Sequence, residues 1–248
     1  MSESNPVNES RSIEEFWRLQ TDPVFQGEGV AHGTGEAVLL IPGLFANDLY
    51  MQTAHTWLTR IGYRPVASEI LWNVGCPRRI LQSLVEVVSN RLSQEPTFSI
   101  VGHSRGGLLA KAITNRFGDR VRRLVLVGSP LGGMLAAGRD GMQQYAAFMQ
   151  QDGSETGRQW VFNAGRAMTQ MIDPDCKSPA CDCVYMDDLF APIPEQVGVT
   201  SIFSISDPIV PAGSSVVGGA ENIRVDGSHS GLMFNKDVYP HIASALAG

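Results

Sequence analysis

Short, wholly apolar runs alternate along this chain with longer stretches whose apolar residues recur at helical spacing. "AVLLI" (37–41) has no polar residue to face solvent and stops at Pro42-Gly43, which predicts a strand buried on both faces. "TFSIV" (97–101), "VRRLVLVG" (121–128), "GVTSIFSIS" (198–206) and "NIRVDG" (222–227) are further strands, and "YRPVAS" (63–68) is a weaker one. Between them, "RRILQSLVEVVSNRL" (78–92) places Ile80, Leu81, Leu84, Val85, Val88 and Leu92 on one helical face. "YMQTAHTWLTRIG" (50–62) and "RGGLLAKAITNRF" (105–117) also read as helices, closed by Gly62 and Gly118. "KDVYPHIASALAG" (236–248) is a terminal helix with an expected break at Pro240. Near the start, Ser12 and Glu15 in "SIEEFWRLQ" have capping-box spacing.

Strand–helix alternation predicts βαβ units. The fold class is α/β: a mostly parallel sheet of about six strands flanked by helices. Residues 131–195 break the alternation with a long, mostly helical insert. The organisation is then an N-terminal arm (1–36, Gly-rich after its first helix), a core (37–130 and 196–248) and a helical cap (131–195). No internal repeat or low-complexity segment interrupts this pattern.

Composition narrows the function classes. The chain has 248 residues, 43% hydrophobic and 18% charged, enough for a sizeable core. No apolar run approaches the ~20 residues that span a bilayer. "MSESNPVNESRSIEEFW" has neither a basic n-region nor an apolar h-region, so a cytoplasmic chain without an integral membrane segment is expected. A net charge of −6 argues against a nucleic-acid backbone as partner. Residues 131–195 hold four Lys/Arg against nine Asp/Glu, a balance of −5, so the cap is expected to show an acidic outer face. Cys76 stands alone, whereas Cys176, Cys181 and Cys183 cluster in "DPDCKSPACDC". Their spacing fits no standard zinc site, nor the stretch a calcium loop. Free thiols or a local disulfide from Cys176 to Cys181 or Cys183 come first, and a metal a distant third.

The chemistry begins at Gly102-His103-Ser104-Arg105-Gly106, a G-x-S-x-G pattern between a predicted strand and a predicted helix. A strand that turns sharply into a helix strains its central residue, and Cβ atoms two residues away would collide. Such a turn lifts Ser104 to the carboxyl edge of the sheet as a nucleophile. A serine hydroxyl needs a base, and the base an orienting acid. Among five histidines, His229 follows the last strand directly, in "VDGSHSGLMFN". His103 lies inside the turn, His32 in the arm, and His55 and His241 on helices. For the acid, Asp207 ends the strand in "SIFSISDPIVP"; Asp187, Asp188 and Asp226 are the rivals. The developing oxyanion needs two donors. Arg105 supplies one amide, and Leu44 in "IPGLFAND" the other, with Phe45 as second choice.

"LLIPGLFAND", "VGHSRGGL", "SISDPIVP" and "DGSHSGLMFN" together resemble the α/β-hydrolase superfamily, and most of all its small bacterial serine lipases and esterases. The resemblance covers roughly residues 37–130 and 198–248. It implies carboxylic-ester hydrolysis through an acyl-enzyme on Ser104, with His229 as base and then acid and Asp207 orienting it. Many relatives carry His-Gly where this chain has Pro42-Gly43. No metal or organic cofactor is required, and the partner is a small hydrophobic ester. Acyl transfer uses the same triad, as does cofactor-free peroxidation. A non-catalytic binding protein on this fold would lack a triad member, and dehalogenation would need Asp at position 104.

Six of the nine methionines fall in the insert: Met134, Met142, Met149, Met168, Met171 and Met186. Phe148, Trp160, Phe162 and Phe190 add bulk. Methionine is flexible and polarizable, so an apolar inner wall for acyl chains is expected, with Phe45, Met142 and Met149 as substrate contacts. The Arg105 side chain has two readings, a carboxylate contact at the site mouth or a salt bridge on its own helix.

Overall fold

The computed structural model describes residues 9–151, 157–178 and 182–248. Six strands form one sheet: β1 (Ala37–Ile41), β2 (Arg64–Ala67), β3 (Phe98–His103), β4 (Val121–Val127), β5 (Gly198–Ser204) and β6 (Glu221–Val225). Every pairing is parallel, in the order β2-β1-β3-β4-β5-β6. The helices are α1 (Arg11–Thr21), α2 (Gln52–Arg60), α3 (Pro77–Arg91), α4 (Arg105–Phe117), α5 (Leu131–Gln151), α6 (Gly157–Ile172), α7 (Val184–Phe190), α8 (Ala212–Ser215) and α9 (Tyr239–Ala247).

The unbroken apolar strands bury both faces. From β1, Ala37, Leu39 and Ile41 join Leu84 and Val88 of α3, Leu109 and Ile113 of α4, and Leu189 of α7 in one core. Val38 and Leu40 point the other way, into a second core with Trp57 of α2, Ile242 of α9 and Leu19 of α1. Trp57 and Tyr239, both fully buried, meet edge to face at 4.6 Å between ring centroids, and the Trp57 indole N–H donates to the Val24 carbonyl. The N-terminal segment is thus built into a core through Leu19, Val24 and Phe25, which its Gly-rich composition does not advertise.

Two local expectations fail. The capping box does not form: α1 begins at Arg11 without a side-chain cap, Ser12 Oγ donates to the Glu9 carbonyl, and the Glu15 carboxylate is buried against Ser228 instead. A tertiary partner outcompetes the local one. Pro240 does not break the last helix but sits in its first turn, where a missing N–H costs nothing.

The described part of the insert is mostly helical, in α5, α6 and α7, with a kink in α5 at Gly138 (φ 66°, ψ 174°). Of its acidic residues, Asp152 and Glu155 lie outside the described residues, as does Cys181. Asp182 and Asp187 both pair with Arg139, and Asp188 with Arg116. Cys76 and Cys176 are free thiols. At the C-terminal end of α7, the carbonyls of Asp188 and Ala191 each accept from Lys111 Nζ and from Asn115 Nδ2, both on α4. Burial pulls the Lys111 ammonium down to about 8. Among the described residues no helix is long and apolar enough to cross a membrane.

The chain runs from β1 to β2 on one side, then returns past β1 to place β3 on its other side. The loops leaving β1 and β3 therefore diverge at their carboxyl ends, where α/β sheets open a binding crevice.

Candidate active site

Ser104 stands at that crevice. It follows β3 and precedes α4 with φ 53° and ψ −123°, a conformation an L-residue adopts only when its surroundings enforce it. Its amide donates to the Val127 carbonyl, and its carbonyl accepts from the Gly107 amide. A Cβ at position 102 would stand 2.7 Å from the Gly106 carbonyl oxygen, and one at 106 would fall on the carbonyls of Ile41 and Pro42. Glycine at both positions is what lets the turn close so sharply.

The loops after β5 and β6 bring Asp207 and His229 to the same edge. His229 Nε2 lies 2.9 Å from Ser104 Oγ, and its Nδ1 lies 2.6 Å from Asp207 Oδ2. Asp207 Oδ1 accepts the amides of Ile209 and Val210, so the carboxylate is fixed at both oxygens and its side chain is only 2% exposed. Burial opposes charge on the His229 imidazole, but the charge and hydrogen bond of Asp207, with a smaller contribution from Glu9, outweigh it and raise the pKa. The rivals lie elsewhere. Asp226 pairs with Arg11, Asp187 and Asp188 pair with arginines of the insert and α4, and His32 bonds the Gly27 carbonyl. His55 is on α2 and His241 on α9.

The frame around His229 is denser than the sequence indicates. His103 Nε2 donates to the His229 carbonyl at 3.1 Å, which fixes its tautomer, since a carbonyl only accepts. Burial, with the neighbouring His229, drives the His103 pKa down to about 3. Tyr50 donates to the Ser230 carbonyl. Glu9 accepts the amides of His229 and Ser230, and Glu15 those of Ser228 and its hydroxyl. Tyr50 and Glu9 carry no local motif, and the motifs that hold His103 and Glu15 do not point to this loop, because each acts far away in sequence.

The loop after β1 is fastened by Asn73, which donates from Nδ2 to the Pro42 carbonyl, accepts the Phe45 amide, and donates its own amide to the Ala46 carbonyl. The Phe45 amide is thereby occupied, whereas the Leu44 amide has no partner among the described residues. Arg105 contributes the first amide of α4. Its guanidinium takes neither expected role: it donates to the carbonyls of Asn73 and Gly75, and burial lowers its pKa.

A cavity of about 670 Å³ opens over Ser104. Leu44, Phe45 and Leu108 line its floor side, and Met134, Met142, Met149, Val161 and Phe162 its cap side. Met186 also lines it, but Met168 and Met171 do not, and Met171 is exposed. Of the insert's other aromatic residues, Phe148 and Trp160 are exposed rather than turned inward. Arg166, Thr169 and Gln170 give the cavity one polar stretch.

Sheet order, elbow and crossover insert together define a fold, and the comparisons with known proteins agree. The chain has the α/β-hydrolase fold. A family model described as alpha/beta hydrolase fold matches residues 79–165. Among solved structures, polyneuridine aldehyde esterase is similar at a TM-score of 0.58 and 12% identity, over 86% of this chain and all of that one. A carboxylesterase from Bacillus subtilis aligns over 96% of this chain and 98% of its own, with a TM-score of 0.51 and 12% identity. A bromoperoxidase from Bacillus anthracis aligns over 87% and 93%, with a TM-score of 0.53 and 17% identity. No curated protein sequence matches this chain.

Proposed function

We propose that this protein is a serine hydrolase of lipase or esterase type that cleaves carboxylic esters with hydrophobic acyl groups. The observation that carries the reading is the relay Ser104 Oγ–His229 Nε2–Asp207 at 2.9 and 2.6 Å, set on a strained turn beside an apolar cavity. In this reading His229 takes the hydroxyl proton as Ser104 Oγ attacks the ester carbonyl, and Asp207 stabilises the imidazolium so formed. The amides of Leu44 and Arg105 receive the oxyanion. His229 then protonates the departing alkoxide, leaving an acyl group on Ser104. A water molecule, deprotonated by the same imidazole, attacks the acyl carbonyl; collapse of that second oxyanion releases the acid and returns the proton to Ser104.

The direction of the His229 shift supports this cycle, because a base that must hold a proton between steps gains from a raised pKa. The mostly apolar lining supports a fatty rather than an acetyl acyl group. The esterase neighbours share the fold at low identity and lend it a precedent. The test is hydrolysis of p-nitrophenyl esters from acetate to palmitate, with Ser104→Ala beside the unaltered protein. Turnover that rises from acetate to octanoate and is lost in Ser104→Ala is expected. A strong preference for acetate would overturn the hydrophobic acyl class, and undiminished turnover in Ser104→Ala would overturn the serine mechanism.

A further inference from the structure

The loop that carries His229 reads Gly227-Ser228-His229-Ser230-Gly231. Its small side chains give little packing by which to hold one register, so its position depends on polar contacts. The Ser228 amide and hydroxyl go to Glu15 at 2.9 and 2.5 Å. The His229 and Ser230 carbonyls accept from His103 and Tyr50. The Gly227 amide donates to Ser204 Oγ and the Gly231 amide to Ser228 Oγ, whereas those of His229 and Ser230 each donate to a different oxygen of Glu9, both at 3.0 Å. Glu9 lies just ahead of α1 and also lines the cavity over Ser104.

We propose that Glu9 is a positioning residue for His229: its carboxylate bridges the two amides and holds the imidazole in line with Ser104. This rests on the reading of His229 as the base. A carboxylate suits the task because both of its oxygens accept, whereas an amide side chain offers one acceptor and would turn its NH₂ toward the second N–H. The charge matters as well as the geometry. Around His229 stand Asp207 at Nδ1, Ser104 at Nε2, His103 with ring centroids 5.0 Å away, Glu15 on Ser228 and Tyr50 on Ser230. His103 and Tyr50 are held neutral near pH 7, His103 by a depressed pKa and Tyr50 by a raised one. The charges that act on the ring are therefore Asp207 and, more weakly, Glu9, and both favour the imidazolium.

The experiment compares the full chain with Glu9→Gln and Glu9→Ala by three readouts: kcat and KM on a p-nitrophenyl ester, the acid limb of kcat/KM, and an NMR titration of the His229 ring. Glu9→Gln is expected to lower kcat about tenfold through misplacement of the base, with KM changed less than about twofold and the melting temperature kept. Loss of a negative charge favours neutral imidazole, so both the acid limb and the ring titration move to lower pH. Glu9→Gln retains the bulk of the side chain should Glu9→Ala not fold. An unchanged ring titration together with an unchanged kcat would overturn the assignment. A chain that hydrolyses no ester and takes no fluorophosphonate on Ser104 sinks the esterase reading instead. The ring titration then decides on its own whether Glu9 acts on His229: a shift sustains the contact, and an unmoved titration removes it.

Discussion

The floor and the roof of the active-site cavity are held together in different ways. On the floor, Ser104, His229 and Asp207 are tied by hydrogen bonds of 2.6–2.9 Å, the loop bearing His229 is fastened by His103 and Tyr50, and the loop after β1 by Asn73. On the roof, α5 and α6 meet the cavity with Met134, Met142, Met149, Val161 and Phe162. Polar links from α6 to the core gather at its C-terminal end, where Asp173 accepts the Cys76 amide at 2.7 Å and pairs with Arg79. A floor of this kind tolerates little displacement, because catalytic bonds are directional. A methionine wall can repack around ligands of different shape. On the proposed function, chemistry and selectivity fall to materials of different stiffness.

Substitutions on the two sides should differ accordingly. The largest effect belongs to the floor: Asp207→Asn keeps the shape but lets the imidazole adopt the wrong tautomer, and kcat/KM is expected to fall by roughly 10³–10⁴. Its melting temperature should change little, and a loss under tenfold would mean that the acid lies elsewhere. Next comes the pH dependence of stability. His103 titrates near 3 in the folded protein against about 6.5 unfolded, so below 6.5 the unfolded chain takes up a proton that the folded one refuses. Its contribution is fully present above pH 6.5 and is lost as pH falls toward 3, a change on the order of a few kcal/mol. Urea unfolding from pH 7 to 4 should show the decline, and His103→Gln should flatten it. The roof gives the smallest effect. Met142→Trp fills the cavity from the cap side and should move the chain-length optimum to shorter esters by about 1–2 kcal/mol of relative kcat/KM, while activity on acetate persists. An unmoved optimum would take Met142 out of substrate selection.

How legible each part was in the sequence follows the range of the forces that build it. The strands and the turn at Ser104 show as short patterns: "AVLLI" has no polar face, and the glycines of G-x-S-x-G stand where a Cβ would meet the Gly106 carbonyl, at 102, or the carbonyls of Ile41 and Pro42 in the adjoining strand end, at 106. The meeting of Asp207 and His229 followed from strand order, since both leave the carboxyl edge of a parallel sheet. The clamp around His229 was not readable, because Tyr50 and Glu9 lie 180 and 220 residues or so from the groups they bind. Glu15 misled for the same reason: its spacing from Ser12 fits a cap, yet the Ser228 loop claims its carboxylate. Among the insert's methionines, spacing alone could not separate Met142, which faces inward, from Met171, which faces solvent.

Ser104, Asp207 and His229 leave the ends of β3, β5 and β6, while the roof helices lie wholly within the crossover from β4 to β5. In the gene this is a separation of text. A recombination with breakpoints before Leu131 and after Ile172 would exchange the roof and leave each strand-end loop of the floor uncut. On the proposed function, such an exchange would alter substrate range in one splice and leave the reaction at Ser104 in place.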